Sequence, residues 1–219
     1  MDDAEAERAC EDLVAHLRTA GEITSDRVAE AVGAVPRHEF VDDSDRERAY
    51  EDRPFDVGHD QVVTAPRLVA RTSELLEVAP GDDVLEVGTG SGYHAAVLAE
   101  LAGPEDVVTV ERRPDLAERA RRVLDRTGYG GVSVIVGDGS RGLPGVAPFD
   151  RISVAAAAPD VPSPLRDQLR DPGRLVLPLG PREGPHELAL FEKRNGAFDR
   201  SRHGKAQYVP LIGAHGFDE

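Results

Sequence analysis

The stretch Asp83-Val84-Leu85-Glu86-Val87-Gly88-Thr89-Gly90-Ser91-Gly92-Tyr93 constrains the fold of this chain more than any other segment. Val84, Leu85 and Val87 form an apolar run without strict alternation, the pattern of a strand covered on both faces of a parallel sheet. Glycines at 88, 90 and 92 permit a tight turn and close approach of backbone to a ligand. From His94 to Leu101 the apolar residues Ala95, Ala96, Val97, Leu98 and Leu101 read as a helix facing the sheet. A strand, a glycine loop and a helix N-terminus in that order make a nucleotide-type binding site.

The rest of the chain extends this unit. Residues 4–20 carry a helical apolar stripe that includes Cys10 and ends at Gly21; Thr24 or Ser25 can cap a second helix that Pro36 closes. Residues 42–66, rich in charge and turn formers, read as a long surface loop of the kind that carries function. Helices are then expected at 67–76, 93–102, 114–127 and 164–169. Strands are expected at 83–87, 106–110, 132–136, 149–155, 174–178, 187–193 and 207–211, the last two joined by a hairpin at Asn195-Gly196. The alternation predicts an α/β, doubly wound, mostly parallel seven-stranded Rossmann-like sheet. Residues 1–64 would add N-terminal helices and a substrate or lid loop to a core of 65–219.

Composition narrows the partners. Asp and Glu number 41 against 26 Lys and Arg, a formal net charge of −15, and only Lys193 and Lys205 are lysines. A surface this acidic reads as adaptation to high salt, where carboxylates hold water and ions and their repulsion is screened. Codon bias in a GC-rich genome would replace lysine by arginine, but it does not account for the excess carboxylate. The charge disfavours nucleic acid as a partner. The single cysteine, Cys10, allows neither an intrachain disulfide nor a cysteine metal cluster, and no metal site is expected. The acidic start and the absence of a long apolar run argue against a signal peptide and a membrane span, so a cytoplasmic protein is expected; a monomer is expected as well.

Three features sharpen the site. The glycine spacing is G-x-G-x-G, not the G-x-G-x-x-G of dinucleotide enzymes. The strand at 106–110 runs onto Glu111, an acid placed to accept hydrogen bonds from a ribose diol. The strand at 132–136 runs onto Gly137-Asp138-Gly139, which puts a second acid where an adenine amino group could reach it. Each acid alone could be a solvated turn residue; three successive strand ends carrying glycine or acid define one edge of the sheet. His38 reads as a structural partner at a helix end, and Tyr93 as a packing residue beside the glycine loop.

These motifs resemble those of S-adenosylmethionine-dependent methyltransferases, and of the protein-L-isoaspartate O-methyltransferase family in particular. The resemblance rests on Val35-Pro36-Arg37-His38-Glu39-Phe40-Val41, Ala49-Tyr50-Glu51-Asp52-Arg53-Pro54, the glycine loop, Gly137-Asp138-Gly139, Ala155-Ala156-Ala157-Ala158-Pro159, the run from Gly173 to Gly180, and Val209-Pro210-Leu211. It implies methyl transfer from S-adenosyl-L-methionine to the free carboxylate of L-isoaspartyl residues in damaged proteins. It further implies that Glu86, Gly88, Thr89, Gly90, Gly92, Glu111, Arg112, Asp138 and Gly139 hold the cofactor. Asp60, Gln61, Val63, Ala156, Val209 and Leu211 would bind the substrate, and Thr64 would stand beside the reacting carboxylate.

One segment departs from the family. Its usual G-x-G-Q-T-I-S is here Gly58-His59-Asp60-Gln61-Val62-Val63-Thr64. Thr64 keeps a hydroxyl, whereas Asp60 brings a negative charge where an anionic acceptor is expected. The residues therefore leave room for a relative that methylates another carboxylate or a small molecule, and for a cofactor-binding regulator without transfer activity. A nicotinamide oxidoreductase is disfavoured by the glycine spacing.

Overall fold

The computed structural model describes residues 2–58 and 61–218; His59 and Asp60 lie outside the described residues. The chain opens with helices α1 (Asp3–Thr19) and α2 (Asp26–Ala34). Asp2 and Glu5 form a reciprocal capping box on α1, and Ser25 Oγ accepts from Val28 N on α2. Glu74 accepts from the backbone and hydroxyls of both Thr24 and Ser25 at 2.8–3.0 Å, tying the α1–α2 turn to helix α3 (Pro66–Leu76).

Seven strands form the main sheet: β3 (Val84–Val87), β4 (Val107–Glu111), β5 (Ser133–Val136), β6 (Phe149–Val154), β7 (Leu169–Leu179), β8 (His186–Arg194) and β9 (Ala197–Ala206). Their order is β5-β4-β3-β6-β7-β8-β9, parallel from β5 through β7 and antiparallel beyond. The chain runs outward from β3 through helix α4 (Tyr93–Ala102), β4, helix α5 (Pro114–Arg126) and β5, then returns to β6 on the other side of β3. That reversal puts a crevice at the carboxyl end of β3, where open α/β sheets bind ligands.

Helix α4 is buried around most of its circumference, including Tyr93, His94, Ala95, Ala96, Val97, Leu98 and Ala99. A helix apolar on all sides needs a second covering layer. The N-terminal helices supply it: α2 and α3 pack on α4, so the extension shares one core with the sheet. The opposite face carries a separate cluster around Leu85, Ile152, Leu175 and Leu177. It is covered by the short helix α6 (Ser163–Gln168), and Leu211 of the C-terminal segment joins the cluster.

Two expectations are corrected. Residues 42–66 are not wholly loop: Asp43–Arg48 is a 3₁₀ turn, and β1 (Phe55–Gly58) pairs antiparallel with β2 (Gln61–Val63) in a small separate sheet. Strands of three and four residues are too short to show a period. The seventh strand of the main sheet lies at 197–206, not at 207–211. β9 is an edge strand, largely exposed and polar, so it lacks the apolar alternation by which a half-buried strand is read. Its charged residues suit an edge that must not pair with another chain.

Candidate active site

The glycine loop is built by backbone geometry. Gly88 (φ +96°), Gly90 (φ +52°) and Gly92 (φ +89°) all lie in the region that side chains avoid. Gly88 N bonds Val110 O at 2.8 Å, and Gly92 N bonds Thr89 O at 2.8 Å, so the loop folds back over the end of β4. A Cβ on Gly139 would meet Val87 Cγ1 at 2.5 Å, which explains a glycine where the β5 exit crosses β3.

Glu111, at the tip of β4, is 6% exposed. One carboxylate oxygen accepts from Gly90 N and the other from Arg113 N, both at 3.0 Å. Each oxygen keeps a lone pair, so the acid can still accept from two vicinal hydroxyls of a ligand.

Behind the loop runs a buried polar string that the sequence does not announce. Glu86 is fully buried; its Oε2 accepts from Thr109 Oγ1 at 2.6 Å, and Thr109 Oγ1 lies 2.7 Å from Thr89 Oγ1. His94 Nδ1 stands 3.4 Å from Glu86 Oε1, with Ser73 Oγ 3.4 Å from its Nε2. Burial disfavours the charged form of both partners in this acid–imidazole contact. Burial, reinforced by the charge on Glu111 and opposed by the Thr109 bond, pushes Glu86 up to about 8. Burial likewise pushes His94 down to about 4. The register Glu86↔Thr109 between β3 and β4 is what brings acid and hydroxyl together.

One cleft of about 780 Å³ joins this edge to the β1–β2 hairpin. Its lining includes Gln61, Thr64, Glu86, Gly88, Thr89, Gly90, Glu111, Arg112, Gly139, Ala156, Val209 and Leu211, which the sequence reading singles out. Three other residues of that reading lie off the lining. Strand alternation turns Val63 into the core and leaves Val62 on the cleft. At Gly92 a Cβ would approach Leu124 Cγ at 3.3 Å, so this glycine serves the packing of α4 on α5. Asp138 turns its carboxylate to Ser140 N and Oγ, Arg141 and Ala214 N. Partial burial alone would raise this carboxyl, but those bonds hold it below the usual carboxylate range. Asp60 lies outside the described residues.

The hairpin side of the cleft is anchored from below. Asp52 Oδ1 accepts from Arg67 N at 3.0 Å and its Oδ2 pairs with Arg67 Nη1 at 3.2 Å, which fixes the start of α3 directly after Thr64. Arg37, fully buried, donates Nε to Ala49 O at 2.8 Å and Nη2 to Arg53 O at 3.4 Å, and stacks 4.4 Å from the Tyr93 ring centroid. It thereby carries the segment leading into β1. The signal for its role is an arginine amid Val35, Pro36 and Phe40, where a solvated residue would be out of place. The far wall, 207–212, is held by Ala157 N to Val209 O at 2.8 Å and Leu211 N to Ala157 O at 2.7 Å. His38 and Cys10 have structural roles: His38 Nδ1 lies 2.8 Å from Tyr50 Oη, and Cys10 Sγ faces Gly33 O at 3.5 Å.

The donor set suits S-adenosyl-L-methionine: close backbone approach at Gly88 and Gly90, and a buried carboxylate at Glu111 for a diol. Residues 8–216 match the family model of protein-L-isoaspartate(D-aspartate) O-methyltransferase. A protein-L-isoaspartate O-methyltransferase of Methanopyrus kandleri is 53% identical over 221 residues, covering 100% of this chain and 97% of the relative. Another, from Methanocella arvoryzae, is 53% identical over 184 residues, covering 84% of this chain and 97% of its own length. A solved protein-L-isoaspartate O-methyltransferase superposes with a TM-score of 0.84 at 30% identity, covering 94% of this chain and 67% of that chain. The Plasmodium falciparum protein, solved in complex with S-adenosyl-L-homocysteine, gives a TM-score of 0.83 at 25% identity, with 93% and 98% covered. The chain belongs to the protein-L-isoaspartate(D-aspartate) O-methyltransferase family.

Proposed function

We propose that this chain methylates the α-carboxylate of L-isoaspartyl residues in aged proteins, with Thr64 as the hydroxyl that orients the acceptor. One observation carries the reading: a single cleft joins the Gly88–Gly90 loop and Glu111 at one end to the half-buried Thr64 at the other. S-adenosyl-L-methionine, when bound, supplies a methyl group already activated by its sulfonium. Glu111 would accept from the ribose hydroxyls, while Gly88, Thr89, Gly90 and Gly139 let the backbone lie against the rest of the cofactor. A carboxylate acceptor is ionised at neutral pH, so the chain need not remove a proton. What remains for the protein is alignment and exclusion of water. Thr64 Oγ1 would donate to the acceptor carboxylate, with Val62, Val209 and Leu211 supplying apolar wall.

In this reading residues 1–64 bring the acceptor hairpin and residues 65–219 the cofactor core. The protein acts as a cytoplasmic monomer with no nucleic-acid or membrane partner. The charge of −15 supports the absence of a nucleic-acid partner, and among the described residues no helix is long and apolar enough to cross a membrane. The same charge supports adaptation to salt; a melting temperature that stays flat from millimolar to molar potassium chloride would remove that part.

The test of the acceptor assignment is Thr64→Val, which keeps the shape and removes the donor. Methyl transfer to an isoaspartyl peptide should fall about tenfold or more, at least ~1.4 kcal/mol of transition-state stabilisation, with cofactor affinity unchanged. Asp60→Gly, which restores the usual family residue, should raise activity most at low salt. An active wild type indifferent to both changes would place the acceptor elsewhere.

A further inference from the structure

The two lysines of this chain have different surroundings. Lys193 Nζ donates to Leu169 O at 2.7 Å and so belongs to the scaffold. Lys205, at the end of β9, is exposed, lines the cleft, and makes no ion pair among the described residues. Arg182, from the β7–β8 connection, also lines the cleft, and its Nη1 donates to the carbonyl of Asp218. The described carboxylates on the lining are Glu86 and Glu111, and both belong to the glycine-loop end. Arg67 also lines the cleft, but its charge is matched by Asp52 at 3.2 Å. Among the described lining residues, Lys205 and Arg182 are thus two cations without a carboxylate partner, in a molecule with a net charge of −15.

From these two cations on one cleft we propose that Lys205 and Arg182 select isoaspartyl sites flanked by carboxylate side chains. The proposal deepens the isoaspartyl reading above and rests on it. An ammonium and a guanidinium at the mouth recognise a second carboxylate beside the one being methylated; the guanidinium can do so with two parallel N–H donors. The field of the whole molecule works the other way, since a charge of −15 draws cationic peptides and repels anionic ones. Range decides between them. At about 0.1 M salt the Debye length is about 10 Å, so charges spread over the far surface are screened, while a contact at the mouth is screened less.

The experiment uses the full chain and three isoaspartyl peptides of one length, with neutral, aspartate and arginine flanks. Initial rates of methyl transfer give kcat/KM for each at about 0.1 M and at molar potassium chloride. The aspartate-flanked peptide should exceed the arginine-flanked one by about tenfold at low salt, chiefly through KM, a ratio equivalent to ~1.4 kcal/mol. The ratio should shrink in molar salt. Lys205→Glu combined with Arg182→Glu should reverse the order; Lys205→Gln and Arg182→Gln, which perturb the fold less, should flatten it. Calorimetric binding of S-adenosyl-L-homocysteine shows that each variant is folded. Equal or inverted preference in the wild type overturns the proposal, as does a preference that survives all four substitutions. Transfer to the neutral peptide alongside such a failure leaves the isoaspartyl reading standing. No transfer to any of the three peptides sinks that reading and this proposal together.

Discussion

The two ends of the cleft are built on opposite plans. The glycine-loop end hangs from the central strands β3, β4 and β6, and its loop is pinned by Gly88 N to Val110 O and Gly90 N to Glu111. The hairpin end is a two-stranded sheet that, among the described residues, pairs only with itself, and it reaches the body through Phe55, Val63, Arg37 and the Asp52–Arg67 bond. An isolated two-stranded hairpin has little stability of its own. A cofactor is the same molecule at every turnover, and rigid strand ends suit it. The hairpin is held by a few side-chain contacts instead of a strand ladder, so its place depends on those contacts.

The contrast breaks most sharply at Arg37. Its truncation to alanine leaves the buried Ala49 carbonyl without its donor, loses a weaker bond to the Arg53 carbonyl and opens a hole beside Tyr93. The expected cost is about 3–4 kcal/mol in denaturant unfolding, with loss of acceptor methylation exceeding loss of cofactor affinity in the folded fraction. A loss confined to cofactor binding would show that Arg37 serves the other end.

At the glycine-loop end, pH gives the next largest effect. Glu86, raised by burial to about 8, holds a proton in the folded chain that the unfolded chain has released; folding is therefore penalised progressively as pH rises toward 8. His94, lowered by burial to about 4, acts in the opposite sense, and its contribution is lost as pH falls through 6 toward 4. Above pH ~6.5 the imidazole is neutral in both states, and Glu86 acts alone. From there to pH ~8 stability of the cofactor-free protein should drop by about 2 kcal/mol, and Glu86→Gln should abolish that slope. A slope unchanged in the variant would assign it to another group.

The smallest effect sharpens the division of labour. Glu111→Ala should weaken binding of S-adenosyl-L-homocysteine by about 1–2 kcal/mol in calorimetry, the cost of ligand hydroxyls left unpaired. KM for the isoaspartyl peptide should hold. Unchanged cofactor affinity would remove Glu111 from the cofactor edge.

The sequence by itself determined the glycine loop and the acid that ends β4, because both are local. An apolar run, glycines at fixed offsets and an acid directly after a strand are read within about ten residues, and strand ends at one sheet edge bring them together whatever the rest does. The turn at Gly88 and Gly90 and the place of Glu111 at the end of β4 were legible for that reason, whereas the role of Glu86 was implied only by resemblance. At the hairpin end, Thr64, Val209 and Leu211 came from resemblance and line the cleft, while the hairpin and β9 did not show, because short or polar edge strands have no period to detect. Only the tertiary structure decided which residues meet at long range. Glu86 pairs with Thr109 and His94 through strand register and helix phase, and Arg37 fits beneath a loop that begins a dozen residues later. Lys205 comes to the cleft mouth because an antiparallel edge strand ends there. Such contacts depend on the relative placement of whole elements, which is set by how the two faces of the sheet are covered and leaves no mark on neighbouring residues.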